Sequence, residues 1–188
     1  MANQDAAFGF RPTRHLSGGQ MRTEEYAIAA NYGSDIFTGQ VVEAVAAGGI
    51  EQAAAGDTQQ LGVFGGCFYT DPTTSKPTYN AYYPASTNAS DIVAYVYADP
   101  DIVFEAQHDG TGTAAMNHSA MDFVGVAGSS TTGISTSELD TSTSGTGAGF
   151  KQIGISKDPE NSDTSAANAN AYCVFSTGEH VYKLITAV

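Results

Sequence analysis

Four histidines are the first residues to test for catalysis or metal binding: His15, His108, His118 and His180. None of them forms a His-x-x-x-His or His-Glu-x-x-His pattern, so no compact zinc motif is present. A Ser-His-Asp triad joins residues that are neighbours only in space, so spacing alone does not test for it. The Gly-x-Ser-x-Gly turn of many hydrolases is missing, and residues 126–130 (VAGSS) come nearest to it.

Carboxylate pairs and glycine-rich turns give weak signals for chemistry. Glu24-Glu25 and Asp99-Pro100-Asp101 could supply an acid and a base to a glycosidase, but a turn between strands favours solvated carboxylates at 99–101. Residues 145–151 (GTGAGFK) resemble a phosphate loop without its Lys-Ser/Thr ending. Asp57 and Asp109 lie in oxygen-rich turns, without a twelve-residue calcium loop. The sequence therefore predicts no enzyme, no metal site and no cofactor.

The charge balance bears on the class of partner. The chain has 188 residues with 7 Lys+Arg against 20 Asp+Glu, a formal net charge of -13. Nucleic-acid binding needs a surplus of basic residues along one surface, so we expect no nucleic-acid partner. No run approaches the ~20 apolar residues of a membrane helix, and the first residues lack the apolar core of a secretion signal. We therefore expect no membrane contact. We also expect the protein to be synthesised in a cytoplasm.

Short strands separated by turns must position these residues. The clearest strand is 91–97 (DIVAYVY), and glycines inside 61–69 (LGVFGGCFY) suggest a bend of the kind found in small barrels. We count about nine or ten strands at 8–12-residue spacing, which predicts an all-β fold. The predicted fold is an antiparallel β-barrel or β-sandwich with long loops and at most one short helix, within 113–121. Cys67 and Cys173 lie in apolar runs and are predicted to be buried, reduced thiols.

Two segments differ from this pattern. Residues 1–22 hold three of the seven basic residues and two phenylalanines without strand or helix periodicity, which predicts an extended N-terminal arm. Residues 23–188 are then one β-rich domain. Within it, residues 128–149 are almost wholly Gly, Ser and Thr and predict a long surface excursion, because they bury too little apolar area to offset ordering.

Three segments carry a resemblance to a known family: residues 5–19 (DAAFGFRPTRHLSGG), 36–42 (IFTGQVV) and 55–66 (AGDTQQLGVFGG). Together they resemble the decoration, or cement, proteins that coat the heads of tailed bacteriophages. The resemblance implies a β-rich fold, homo-oligomers that are often trimers, and binding across neighbouring major capsid subunits on the outside of the virion. Tail-tube or tail-fibre proteins, and less strongly a carbohydrate-binding β-domain, remain as alternative functions.

The segment 1–22 has two interpretations. In the first, its phenylalanines fill apolar pockets of the capsid or of a neighbouring copy, and its arginines pair with carboxylates there. In the second, it is the first strand and loop of the chain's own barrel. Tyrosines beside prolines in 79–84 have two explanations: they belong to the core, or they form a second contact region, because amphipathic rings are common at interfaces. The predicted partner-binding residues are Phe8, Phe10, Arg11, Arg14, Arg22, Tyr82 and Tyr83.

Overall fold

The computed structural model describes residues 3–144 and 148–183. Within these ranges the chain forms sixteen short strands and one turn of 3₁₀ helix, Ala114–Met116, so the predicted all-β class is confirmed. The strands are β1 Arg11–His15, β2 Glu24–Ile28, β3 Ile36–Phe37, β4 Val41–Ala44, β5 Gly49–Gln52, β6 Gln60–Thr70, β7 Pro77–Asn80, β8 Tyr82–Tyr83, β9 Val93–Tyr97, β10 Ile102–Gln107, β11 Ala120–Val124, β12 Gly128–Ser129, β13 Ile134–Ser135, β14 Glu138–Ser144, β15 Phe150–Ile155 and β16 Asn170–Phe175.

Five of these strands close into a barrel. They lie in the order β4-β5-β2-β9-β6, and β6 pairs back with β4 to complete the ring. Only β2 and β5 are parallel among the barrel pairs that the structure describes. On β9, Ala94 and Val96 are fully buried, whereas Val93, Tyr95 and Tyr97 are half-buried on the opposite face. This alternation is the two-residue period of a strand with one face toward a core.

A bulge lets β6 serve three neighbours. The β6–β9 register shifts between Phe64 and Cys67, so Gly65 and Gly66 form the irregularity. Gly66 has φ +124°, which side-chain-bearing residues rarely adopt. The part of β6 before the bulge pairs with β4. The part after the bulge pairs with β7, which is the free edge of the sheet. The bend expected from glycines inside this strand is therefore confirmed.

The remaining long strands form a six-stranded antiparallel sheet, in the order β1-β10-β16-β15-β11-β14. An isolated bridge between His108 and Leu139 brings the end of β10 to β14, so the sheet curls around its own core. Val41 and Val63 of the barrel join the same apolar cluster, so the two sheets share a core. Five phenylalanines dominate it: Phe10, Phe104, Phe123, Phe150 and Phe175.

A part of residues 1–22 belongs to this sheet. Arg11–His15 is β1, the edge strand, and Phe10 immediately before it is fully buried. Residues 10–15 therefore follow the second interpretation, a first strand of the chain's own fold, because the phenylalanine core buries the Phe10 ring. Residues 16–22 form an exposed loop, and residues 1–2 lie outside the described residues.

The serine- and threonine-rich segment 128–149 contains three strands, so the expected surface excursion is corrected for residues 128–144. Ser135, Ser137 and Leu139 alternate as buried residues along it. The two serine hydroxyls share a hydrogen bond of 2.8 Å, and Ser137 Oγ donates to the Gly125 carbonyl at 2.6 Å. Because these hydroxyls are paired, they are buried without an unmet donor. Residues 145–147, the first three of the seven residues that resemble a phosphate loop, lie outside the described residues, as do residues 184–188.

Two further local predictions concern the helix within 113–121 and the two cysteines. The predicted helix within 113–121 is reduced to the 3₁₀ turn Ala114–Met116, and β11 already begins at Ala120. Cys67 and Cys173 are buried and unpaired, as predicted. Burial raises the pKa of both thiols, which keeps them protonated and unreactive.

Candidate partner-binding surface

Phe10 occupies a pocket of its own chain. Its ring stacks on Phe150, with centroids 4.3 Å apart and planes at 10°, and it meets Phe123 edge-on at 6.4 Å. The Phe10 backbone N–H donates to the Gly39 carbonyl at 2.8 Å. The side chain is 0% exposed, so the prediction that it fills a pocket of a partner is corrected.

Arg11 makes an ion pair within the chain. Arg11 and Glu105 are directly opposite in the β1–β10 pair, and Arg11 Nη2 donates to Glu105 Oε2 at 2.6 Å. The guanidinium carbon also lies 4.6 Å from the centre of the half-buried Phe8 ring. Ser156 Oγ donates to the other Glu105 oxygen at 2.6 Å. The arginine therefore neutralises a buried carboxylate of its own sheet, although 58% of its side chain remains exposed.

The other two arginines are on the surface. Arg14 is exposed on the edge strand β1, and it makes no hydrogen bond or ion pair among the described residues. Arg22 lies in the following loop, where its Nε is 3.3 Å from Glu24 Oε1, with 80% of the arginine side chain exposed. The structure thus does not gather the three predicted arginines into one site.

An apolar groove lies beside Phe8. It has a volume of about 180 Å³ and is lined by Phe8 and Pro12 from one side and by Tyr97 and Ile134 from the other. Ile134 is 43% exposed, which is high for a branched apolar side chain beside other apolar groups. The groove is therefore an unfilled apolar surface at the junction of the two sheets.

The two predicted tyrosines lie on β8 and pack within the chain. Tyr83 is 0% exposed, and its hydroxyl donates to the Tyr32 carbonyl at 3.3 Å, so its predicted role as a partner contact is corrected. Tyr82, its neighbour, points to the opposite side and stacks on Phe37 with centroids 5.4 Å apart. Consecutive strand residues face opposite ways, so both tyrosines could not belong to one surface.

Three other rings lie together on one face of the sheet, which we call the outer aromatic face: the exposed Tyr79 and the half-buried Phe68 and Tyr95. Phe68 and Tyr79 are cross-strand partners on β6 and β7, with ring centroids 4.9 Å apart. Tyr79 and Tyr95 lie 6.2 Å apart with planes at 12°. Tyr79 is 75% exposed, the highest value among the exposed large hydrophobic side chains of the described residues. Tyr97, two residues along β9 from Tyr95, lines the groove, so groove and face adjoin.

Sequence reasoning placed Tyr79 in a tyrosine cluster but did not select it as a partner-binding residue. The usable signal was the two-residue period through 77–80, which puts Tyr79 on the same side as Pro77 and away from the core. Phe68 and Tyr95 gave no separate signal, because each lies in an apolar run where both strand faces carry apolar residues.

One cluster of titratable side chains has the composition of a metal site. His15, Asp99 and Asp101 offer three ligand atoms within 4.8 Å of one another, beside a cavity of about 340 Å³. The Ser17 backbone N–H can only donate, and it lies 3.2 Å from His15 Nδ1, so Nδ1 is the acceptor. The proton is then on Nε2, which donates to Asp99 Oδ2 at 3.0 Å. His15 Nε2 therefore carries a proton and has no lone pair to offer a cation.

The Asp99 carboxylate is a turn group, as the sequence predicts. Its Oδ1 accepts the Asp101 backbone N–H at 2.9 Å. Burial raises the pKa of Asp99, but the hydrogen bonds from Asp101 and His15 outweigh it, and the net pKa lies below its ordinary value. The cluster ties β1 to the β9–β10 turn with a carboxylate that stays ionised near neutral pH.

No helix in the described ranges has the length and apolar character needed to cross a membrane. Comparison of the chain with protein-family models, with curated protein sequences and with solved structures gives no match.

Proposed function

We propose that this chain is a structural protein of a tailed-phage virion, which binds the outer surface of the head and stabilises contacts between major capsid subunits. The resemblance of residues 5–19, 36–42 and 55–66 to decoration proteins supports this role. The all-β fold agrees with the fold that the resemblance implies.

The outer aromatic face is the observation that carries the proposal. The Tyr79 ring is three-quarters exposed and is available for burial against a partner, and aromatic residues are enriched where interfaces are tightest. The adjoining groove next to Phe8 can accept an apolar side chain of the same partner. Each copy then adds a modest contact, and many copies on one shell act together.

The net charge of the chain also favours binding through the outer aromatic face. The chain has a net charge of -13, so most approaches to another acidic surface meet repulsion. The three rings of the outer aromatic face are uncharged, and a carboxylate beside them is that of Glu25, which is directly opposite Tyr95 in the β2–β9 pair. We expect binding through this face to depend only weakly on salt.

Co-sedimentation with purified phage heads that lack the protein tests the role. We expect the wild-type chain to sediment with the heads and the Tyr79→Ser variant to bind at least about tenfold more weakly, since interface aromatic residues commonly contribute 1–2 kcal/mol or more. Leu16→Ser is the matched control, because Leu16 is also exposed, at 51%, but lies outside the aromatic face. Equal binding of Tyr79→Ser and wild type would contradict the assignment of the face.

The proposal extends to assembly and location. We propose that copies of the chain associate with one another on the head, as trimers, after synthesis in the host cytoplasm. Light scattering on the purified chain measures the oligomer, and antibody labelling of intact particles locates it. Label on the tail instead of the head would favour a tail-tube or tail-fibre role.

A further inference from the structure

A group of buried side-chain oxygens lies where the barrel, the six-stranded sheet and the C-terminal turn meet. It comprises the side chains of Gln60 at the start of β6, Asp122 on β11 and Glu179 in the turn after β16. Their exposed fractions are 0%, 7% and 7%. We call these three residues the oxygen cluster.

Two oxygens of this cluster lack a partner. Gln60 Oε1 and Glu179 Oε2 are buried and accept no hydrogen bond from any described residue. A buried carboxylate or amide oxygen without a donor is costly, so an arrangement of two such atoms favours a ligand that supplies positive charge.

Asp122 and Gln60 both contact the turn at residues 55–57, and the backbone joins Glu179 to Gln60. The Gly56 backbone N–H bonds to the Asp122 carboxylate. Gln60 Nε2 donates to the Asp57 carbonyl at 3.2 Å, which holds the amide at the same turn. The Gln60 backbone N–H also donates to the Glu179 carbonyl at 3.1 Å.

The charges around the cluster are negative. Burial first, and then repulsion from Asp140 and Asp57, raises the pKa of Asp122. Burial and the Asp122 charge raise the pKa of Glu179. No cationic group is among the charges that shift either carboxylate within the described residues.

The neighbouring histidine does not supply that charge. His180 is fully buried, and its Nδ1 accepts the Tyr182 backbone N–H at 3.2 Å, so the ring proton is on Nε2. Burial lowers the pKa of His180 to about 4, which keeps the ring neutral at physiological pH. The protonated Nε2 is buried without a hydrogen-bond acceptor among the described residues, and it has no lone pair for a metal.

We propose that Asp122, Glu179 and the side-chain carbonyl of Gln60 bind one Ca²⁺ ion, with water completing its coordination. All three donors are oxygens, two are carboxylates and one is an amide, which is the ligand set of a hard cation. Ca²⁺ accepts six to eight oxygens in irregular geometry, whereas Mg²⁺ demands near-octahedral geometry and Zn²⁺ favours nitrogen or sulfur. The ion connects the C-terminal turn to both sheets, and this site departs from the sequence expectation of no metal.

Calorimetry and thermal unfolding of the full chain, after removal of cations with EDTA, test the site. We expect wild type to bind one Ca²⁺ and its Tm to rise as CaCl₂ is increased at constant ionic strength, since a ligand of the folded state stabilises it. Glu179→Gln and Asp122→Asn are each expected to weaken Ca²⁺ binding by about tenfold or more. In EDTA, Glu179→Gln should unfold at or above the wild-type temperature, because it removes an uncompensated buried charge.

Asp101→Asn is the matched control, because it removes a carboxylate from the His15 cluster and should leave Ca²⁺ binding unchanged. The proposal is overturned if wild type shows no Ca²⁺ binding by calorimetry, a result that needs no variant to fold. It is also overturned if Glu179→Gln and Asp122→Asn both retain wild-type affinity, or if Asp101→Asn loses it.

Discussion

Two groups of three aromatic rings in this molecule lie in different environments. Phe10, Phe150 and Phe175 stack inside the six-stranded sheet, with centroids 4.3 Å and 4.6 Å apart, and all are buried. In the outer aromatic face, on the outside of the barrel, Phe68 and Tyr79 are tilted by 52° at 4.9 Å, whereas Tyr79 and Tyr95 stack at 6.2 Å. The difference teaches that ring stacking alone does not assign a role. The strand face that a ring occupies decides whether it stabilises the fold or is free to bind.

The largest expected effect tests the buried stack. Phe150→Ala removes a ring that contacts Phe10, Phe123 and Phe175, and we expect it to lower the free energy of unfolding by about 3–5 kcal/mol. Urea denaturation measures the change. A loss below about 1 kcal/mol would contradict a structural role for this stack.

An intermediate effect tests the strand that carries Phe10 into the core. Arg11→Ala leaves the buried Glu105 carboxylate with the Ser156 hydroxyl but without its ion-pair partner, and we expect a loss of about 1–3 kcal/mol. Arg14→Ala, on the same strand, is the control and should change stability by less than about 0.5 kcal/mol. Equal losses in the two variants would show that the Arg11–Glu105 pair is not the cause.

A smaller effect, visible as a pH dependence, tests the barrel wall. Glu43 is directly opposite Glu51 in the β4–β5 pair. Burial, followed by the charges of Asp57 and Glu51, raises the pKa of Glu43 to about 7 from 4.5. The folded state therefore holds this proton more tightly than the unfolded state does. The resulting stability is fully present below pH 4.5 and is lost as the pH rises toward 7.

The variant Glu43→Gln isolates this contribution. We expect the Tm difference between variant and wild type to grow in favour of the variant between pH 5 and pH 7.5, and to level off above that range. Thermal unfolding at several pH values measures it. A Tm difference that is constant over the whole range would contradict the raised pKa.

The smallest expected effect on stability belongs to the outer aromatic face. Tyr79→Ser should change the free energy of unfolding by less than about 0.5 kcal/mol, because the ring is three-quarters exposed. A loss above about 2 kcal/mol in urea denaturation would place Tyr79 with the buried stack and remove the contrast between the two regions.

The sequence carries enough information for the fold class and for part of the barrel. Glycines inside β6 predict its bend, and the period of 91–97 predicts β9, since both signals are local. The burial of Phe10 was not predictable in this way. It depends on the pairing of β1 with β10, about ninety residues away, and on the Gly39 carbonyl that accepts its N–H.

The candidate surface was harder to predict than the fold, for a related reason. Low apolar content suggested a loop at 128–144, but paired serine hydroxyls let Ser135 and Ser137 be buried beside Leu139. The outer aromatic face joins β6, β7 and β9, and the order of these strands in the sheet brings its rings together. The oxygen cluster likewise assembles from three separate elements.

Cryo-electron microscopy of phage heads reconstituted with the wild-type chain tests the central claim most directly. The account predicts density for the chain on the outer surface of the head, with Phe68, Tyr79 and Tyr95 against the capsid subunits. A map in which the heads carry none of the chain, or in which these three rings face the solvent, would contradict it.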